Sequence, residues 1–170
     1  MTSILFLCTG NSARSILAEA LANQLGQGRL TAYSAGSFPK RKPHPLALEV
    51  LAERGIDGDF RSKSWDEFAA PGAPPIDIVI TVCDNAAGET CPIFPGRAVK
   101  AHWGVADPAA VDGNGQRAAF ETAVDQMLAR IAALLDLDLA DEAQSLQHRL
   151  AAIGQFEGAT NGRTRTAADC

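Results

Sequence analysis

The sequence has few aromatic residues and no long apolar run. Phe, Trp and Tyr make up 6% of its 170 residues, with a single tyrosine. No apolar stretch reaches the roughly twenty residues that a membrane-spanning helix needs. No charged region precedes the first hydrophobic segment, so residues 3–8 are expected to form a strand and not a secretory leader; a cytoplasmic location is expected. Positive charge is not in excess either. The net charge is −5 and there is no basic stripe, so no electrostatic case for nucleic acid arises. Cys8, Cys83, Cys91 and Cys170 include no Cys-x2-Cys pair, and His44, His102 and His148 are scattered, which speaks against zinc. Four cysteines in a cytosolic chain of this length do not suggest a disulfide framework. Redox or nucleophilic use of the thiols is what remains.

The length suits one domain with a substantial core, and 46% of the residues are apolar. Strand-like and helix-like segments alternate. Ile4–Leu7, Leu30–Ser34, Ile76–Val82 and Arg97–Ala101 read as strands. Ile16–Ala22, Pro45–Arg54 (stopped by Gly55) and a short segment at Ser64–Phe68 read as helices, the last with Ser64 and Glu67 as a capping box. From Gln116 onward Phe120, Val124, Met127, Leu128, Ile131 and Leu135 recur at helical spacing, as a core stripe does. The pattern predicts an α/β fold, a small doubly wound parallel sheet with helices on both faces. Residues 1–138 form the domain and 139–154 an added helix, with Asp141 as cap and Leu146, Leu150 and Ile153 facing the body. Residues 155–170 are expected to be a poorly ordered tail.

The most telling segment is Cys8-Thr9-Gly10-Asn11-Ser12-Ala13-Arg14-Ser15, between the first strand and the first helix. A strand–loop–helix turn aims successive backbone N–H groups at one small volume, which suits a tetrahedral oxyanion. The same positive environment favours a thiolate at Cys8. Arg14 can return over the loop and offer a planar fork to two oxyanion oxygens. Each residue alone has an ordinary reading: a buried cysteine, a Gly-Asn turn, a solvated arginine. Joined at this spacing they form a candidate nucleophile, anion cradle and charge clamp. Asn11 and Ser15 can hold the loop's shape and hydrogen-bond the thiolate.

Cys83 directly follows the third strand, on the edge where Cys8 is expected. The seven residues between Cys83 and Cys91 are small or polar and offer little to anchor the loop against a core, so it is expected to move. Two cysteines flanking an ordinary loop would suffice as an explanation on their own. A strand-end thiolate, a second strand-end cysteine and a loop cysteine together favour a thiol relay.

The Cys-x5-Arg-Ser pattern near the N-terminus resembles the low-molecular-weight tyrosine phosphatases and the arsenate reductases built on the same fold. Thr81-Val82-Cys83, Cys91-Pro92-Ile93 and His102-Trp103-Gly104 resemble the thioredoxin-linked arsenate reductases in particular. The resemblance runs to about residue 138 and implies four parallel strands in the order 2-1-3-4. It implies that Cys8 attacks arsenate, that Cys83 attacks the Cys8 adduct, and that Cys91 resolves the resulting disulfide. An external thiol donor would regenerate the enzyme, either thioredoxin or glutathione with glutaredoxin; no organic cofactor is implied. A monomer is expected. Cys170 is expected to be an idle terminal residue. Trp103 is expected to pack and His102 to support the site from behind.

Asp107-Pro108 follows the fourth strand. Breaking an As–O or P–O bond at a thiolate requires a proton for the leaving oxygen, and a nearby carboxylic acid with a raised pKa can supply it. The alternative is that Asp-Pro only starts a turn. The resemblance makes Asp107 the general acid. Ala109 and Ala110 follow, where related phosphatases carry aromatic residues, so an aryl substrate has little to stack on. Some reductases of this type bind potassium near the anion loop. Asn11, Glu19 and Ser34 match three of the ligand positions, and the fourth aligns with Trp65, beside Asp66.

The expected activity is reduction of arsenate to arsenite for detoxification. The rivals are a phosphatase acting on phosphotyrosine or small phosphoesters, and a non-catalytic oxyanion or redox sensor; a retained Asp107 speaks against the sensor, since passive binding needs no proton donor.

Overall fold

The structure is a computed structural model that describes residues 1–160. Cys170 and the last ten residues of the expected tail lie outside the described residues.

Strand β1 (Thr2–Leu7) forms because Ile4-Leu5-Phe6-Leu7 can be buried on both faces of a sheet, and all four are fully buried. Burying each such side chain contributes about 1.5–3 kcal/mol relative to exposure. Strands β2 (Leu30–Ala35), β3 (Ile78–Thr81) and β4 (Val99–His102) join β1 in an all-parallel sheet of order β2-β1-β3-β4. Leu7 pairs with Ala35 and Thr81, and Thr81 with His102, so the carboxyl ends of all four strands finish in one row. The residues after that row are Cys8, Gly36, Val82-Cys83 and Trp103. Ligands bind at such an edge in doubly wound sheets.

Period-two alternation divides the core. Ile4, Phe6 and Cys8 join the larger cluster with α1 (Arg14–Leu25), α2 (Pro45–Ala52), α5 (Gly115–Leu135) and α6 (Ala143–Ile153). Leu5 and Leu7 face the smaller cluster, with Ala35, Val79, Phe94 and Phe68 of α3 (Asp66–Ala69). The α5 stripe is buried at Phe120, Val124, Met127, Ile131 and Leu134; Leu128 and Leu135 are only partly covered. Trp103 is fully buried, stacks near Phe6, and donates its indole N–H to the Leu150 carbonyl at 2.8 Å, so its role is packing.

Local details differ from the sequence reading. No capping box forms at α3: Ser64 Oγ accepts the Asp66 N–H at 3.2 Å, but the Glu67 carboxylate is taken by Arg61 at 2.6 and 2.9 Å. Asp141 accepts the N–H of Glu142 and the hydroxyl of Ser145, both at 2.8 Å, just ahead of α6, and Leu146, Leu150 and Ile153 are buried.

Residues 155–160, which composition assigns to the tail, fold back on the domain. Ala159 bridges to Val105 in antiparallel sense, and the Thr160 N–H donates to the Gly104 carbonyl at 3.0 Å. The cause lies in α5. Arg130 has no exposed surface, and its guanidinium donates to the carbonyls of Gln126, Phe156 and Glu157 at 3.0–3.4 Å. A buried cation without a carboxylate must find carbonyls, and this segment supplies two of them.

Candidate active site

The turn after β1 is held from outside through its carbonyls. The Thr9 carbonyl accepts from Phe38 N–H, Gly10 from Lys40 N–H, Asn11 from Ser62 Oγ and Ser12 from His44 N–H, at 2.5–2.9 Å. Four successive carbonyls turned outward leave the amide N–H groups facing inward, and Asn11 adopts a left-handed conformation (φ 42°), as in an anion nest. Asn11 also spends its side chain on the loop: Nδ2 donates to Ser15 Oγ and Oδ1 accepts Lys63 N–H, both at 2.9 Å. Helix α1 starts at Arg14 with no side-chain cap at Ala13, which leaves first-turn amides open toward the same volume.

Gly36 makes this packing possible. A Cβ there would stand 2.7 Å from the Cys8 carbonyl oxygen, inside contact distance of the Thr9 carbonyl, and 3.0 Å from Asn11 N. Only a hydrogen at this position lets the loop lie against the end of β2. In the sequence Gly36 looks like no more than the end of a strand. The close approach of two segments more than twenty residues apart leaves no local mark.

Arg14 returns over the loop. Its Nη1 donates to the Val105 carbonyl at 2.9 Å and its Nη2 lies 3.5 Å from Asp107 Oδ2, while Nε is buried without a hydrogen-bond partner. A buried orphan donor beside an amide nest fits an oxyanion oxygen. Asp107 Oδ1 accepts the Ala109 N–H at 3.0 Å, so the residue does start a turn, the 3-10 helix Pro108–Ala110. Its other oxygen faces Arg14. The turn and a role in proton transfer are therefore compatible.

Cys8 and Cys83 are free thiols, both buried and hydrogen-bonded to each other. Cys83 caps α4 (Asp84–Gly88): its sulfur accepts N–H groups from Ala86 and Thr9, each at 3.4 Å. The bond from Cys8 and these two amides push the Cys83 thiol down to about 5 against the cost of burial. The same pairing pushes Cys8 up, with burial adding and Arg14 opposing. The two sulfurs titrate as a pair, and the two N–H donors at Cys83 draw the charge toward that sulfur. This corrects the expectation of a resting thiolate at Cys8. The donors at Cys83 outweigh the loop amide and the arginine at Cys8.

The segment after Cys83 is better anchored than its composition suggests. It begins as helix α4, with Ala86 buried. Thr9 Oγ1 donates to Glu89 Oε1 at 3.1 Å. His102 Nε2 donates to Asp84 Oδ1 at 2.8 Å, its Nδ1 is bonded to Thr81 Oγ1 at 2.7 Å, and Thr160 Oγ1 also donates to Asp84 at 3.1 Å. His102 thus ties α4 to the end of β3. Cys91 packs, partly buried, against the smaller cluster, on the sheet face opposite the cluster that holds Cys8 and Cys83.

Two of the three residues matched to potassium ligands, Glu19 and Ser34, come together around a lysine ammonium, and the third, Asn11, meets only the backbone N–H of that lysine. Lys63 Nζ lies 3.5 Å from Glu19 Oε2, 3.3 Å from Ser34 Oγ and 3.1 Å from the Arg61 carbonyl, while Ser34 Oγ donates to Glu19. Position 65 is a tryptophan and supplies no side-chain oxygen. A potassium ion does not fit there beside the ammonium.

A parallel four-stranded sheet with a cysteine-headed anion loop at its carboxyl edge, facing an arginine and an aspartate, defines a class of phosphatase-like proteins. The model of the low-molecular-weight phosphotyrosine protein phosphatase family matches residues 3–149, and the chain belongs to that family. It is 35% identical to an arsenate reductase of Bacillus licheniformis over 131 residues, 76% of this chain and 91% of that one. It is 37% identical to the arsenate reductase of Bacillus subtilis over 110 residues, 65% of this chain and 76% of that one. Among solved structures it is similar to an arsenate reductase of Archaeoglobus fulgidus (26% identity, TM-score 0.58, covering 76% of this chain and 98% of that one). It is also similar to a thioredoxin-dependent arsenate reductase of Corynebacterium glutamicum (27%, TM-score 0.59, 87% and 63%). No helix among the described residues is long and apolar enough to cross a membrane.

Proposed function

We propose that this chain reduces arsenate to arsenite through Cys8, Cys83 and Cys91, with an external thiol donor. The observation that carries the reading is the Cys8–Cys83 pair, in which Cys83 Sγ lies against Cys8 and accepts the amides of Thr9 and Ala86, donors that favour its charged form. A phosphatase needs one sulfur at the loop. A second ionisable sulfur in contact with it is what a disulfide-forming step requires.

Arsenate enters the nest and takes hydrogen bonds from the loop amides and Arg14. A proton moves from Cys8 to Cys83, and Cys8 attacks arsenic; the S–As bond forms and an oxygen leaves as water with a proton from Asp107. Cys83 loses its proton and attacks Cys8 Sγ. The S–S bond forms, the S–As bond breaks with its electron pair on arsenic, and As(V) leaves as As(III), arsenite. The Cys91 thiolate attacks Cys83 Sγ, which releases Cys8 as a thiolate and moves the disulfide outward. Two electrons from thioredoxin, or from glutathione with glutaredoxin, reduce that disulfide. Because Cys91 packs under the opposite face, its attack requires the 83–91 segment to rearrange, with rupture of the Asp84–His102 and Thr9–Glu89 bonds as the first step.

The test is arsenate-dependent NADPH oxidation with the thioredoxin and glutaredoxin systems supplied separately. Turnover with one or both is expected. Efficient phosphotyrosine hydrolysis without donor-dependent arsenite would overturn the reading in favour of the phosphatase, the alternative that the same loop, Arg14 and Asp107 could serve.

A further inference from the structure

Lys63 is buried, with 8% of its side chain exposed, and every donor of its ammonium has an oxygen partner: Glu19, Ser34 and the Arg61 carbonyl. Burial pushes the Glu19 carboxyl up and the Lys63 ammonium down, and each charge opposes the other's shift. An arrangement that costs this much desolvation is kept only by close pairing. The backbone of the same lysine holds the anion loop. Lys63 N–H donates to Asn11 Oδ1, Ser62 Oγ donates to the Asn11 carbonyl at 2.5 Å, and Lys63's own carbonyl accepts the N–H of Gly36 at 3.0 Å. Asn11 in turn reaches Ser15, so a chain of direct bonds runs from the buried cation to the nest and to the start of α1.

We propose that the Lys63 ammonium is a tethered monovalent cation, which neutralises Glu19, braces the 61–64 segment against β2, and so positions Asn11 and the oxyanion loop without a dissolved cation. An ammonium carries the charge of a potassium ion and is of similar size. Bound covalently, it cannot be diluted away. Lys63 is a positioning residue, since none of its atoms touches the nest volume directly. The proposal rests on the loop being an oxyanion site and not on arsenate being the substrate.

The experiment measures binding of inorganic phosphate by calorimetry in choline chloride and in potassium chloride at equal ionic strength. The natural chain is expected to bind phosphate equally in both. Lys63→Ala is expected to bind about tenfold more weakly in choline and to regain most of that loss in potassium or ammonium chloride, with its unfolding midpoint raised by the same two salts. A purely structural lysine would show no such rescue by cations. Lys63→Met/Glu19→Gln removes both charges, leaves no unpaired buried carboxylate, and covers the case in which Lys63→Ala does not fold. The double variant should bind phosphate more weakly than the natural chain, with no response to potassium. Strengthening of the natural chain's phosphate binding by potassium would overturn the proposal, as would either variant binding like the natural chain in choline, or a Lys63→Ala loss that no cation restores. If these arms come out as expected and arsenate is not turned over, only the reductase reading fails.

Discussion

Cys83 Sγ accepts hydrogen bonds from Thr9 N–H and Ala86 N–H, both at 3.4 Å, so one sulfur is claimed by the turn after β1 and by the turn after β3. The parallel register, Leu7 against Thr81, makes that meeting inevitable: two strands that end side by side deliver their next residues to the same place. Each donor stabilises the sulfur more strongly when it is charged. Cys83 is pushed down to about 5, while its partner Cys8 is pushed up.

The first prediction follows from that asymmetry. A thiolate alkylates and a thiol does not, so a sulfur with a lowered pKa stays reactive as pH falls until that pKa is crossed. At pH 6, with no oxyanion present, limited iodoacetamide should label Cys83 before Cys8, and the labelling rate should fall off near pH 5. Peptide mapping checks the order. Labelling of Cys8 first at pH 6 would place the resting charge on the wrong sulfur.

Much of this was legible in the sequence. The alternation of strands and helices, the apolar run at Ile4–Leu7 and the stripe on α5 prescribe the sheet, and the Cys8–Ser15 segment between strand and helix prescribes the loop. What escaped was set by partners distant in sequence. Small polar residues between Cys83 and Cys91 read as mobile, because their anchors, Thr9 and His102, lie elsewhere in the chain. Lys63 carries no local mark in the sequence, since its pairing with Glu19 and Ser34 exists only once β2 and α1 pack. Residues 155–160 read as part of an unanchored tail because their anchor, Arg130, sits in the middle of a helix where an arginine ordinarily faces water.

The second prediction separates the cysteines. Cys8→Ser should abolish both arsenate reduction and any phosphatase activity, because one nucleophile serves both. Cys83→Ser and Cys91→Ser should stop multiple-turnover reduction and leave hydrolysis of a small aryl phosphate largely intact, since ester hydrolysis needs no electrons. Parallel assays of arsenite formation and phosphate release check it. Equal loss of both activities in Cys91→Ser would assign that residue to structure.

The third prediction concerns Asp107. Asp107→Asn keeps the acceptor for Ala109 N–H, and with it the start of the 3-10 turn, but removes the transferable proton. Loss of a general acid costs on the order of 10²–10⁴ in rate. Phosphate affinity should survive or rise, because the loop amides and Arg14 supply it and a carboxylate next to the anion is gone. Turnover near the natural level would reduce Asp107 to its turn.

The last prediction concerns Gly36, which tests whether the nest depends on the end of β2. Gly36→Ala places a methyl group 2.7 Å from the Cys8 carbonyl and 3.0 Å from Asn11 N, and these neighbours are backbone, which cannot swing aside as a flexible side chain can. The loop must move off β2. Forced overpacking of this kind typically costs about 1–3 kcal/mol, which lowers the unfolding midpoint without unfolding the domain, because the sheet and both clusters are untouched. The functional loss should be larger than the stability loss. Displacement of Thr9 withdraws one of the two amides that hold the Cys83 thiolate, and displacement of Asn11 distorts the nest. Phosphate binding should therefore weaken by about tenfold or more, and the pH at which Cys83 labelling falls off should rise. A variant that keeps its unfolding cooperativity, its phosphate affinity and its Cys83 labelling profile would show that the loop holds its shape without support from β2.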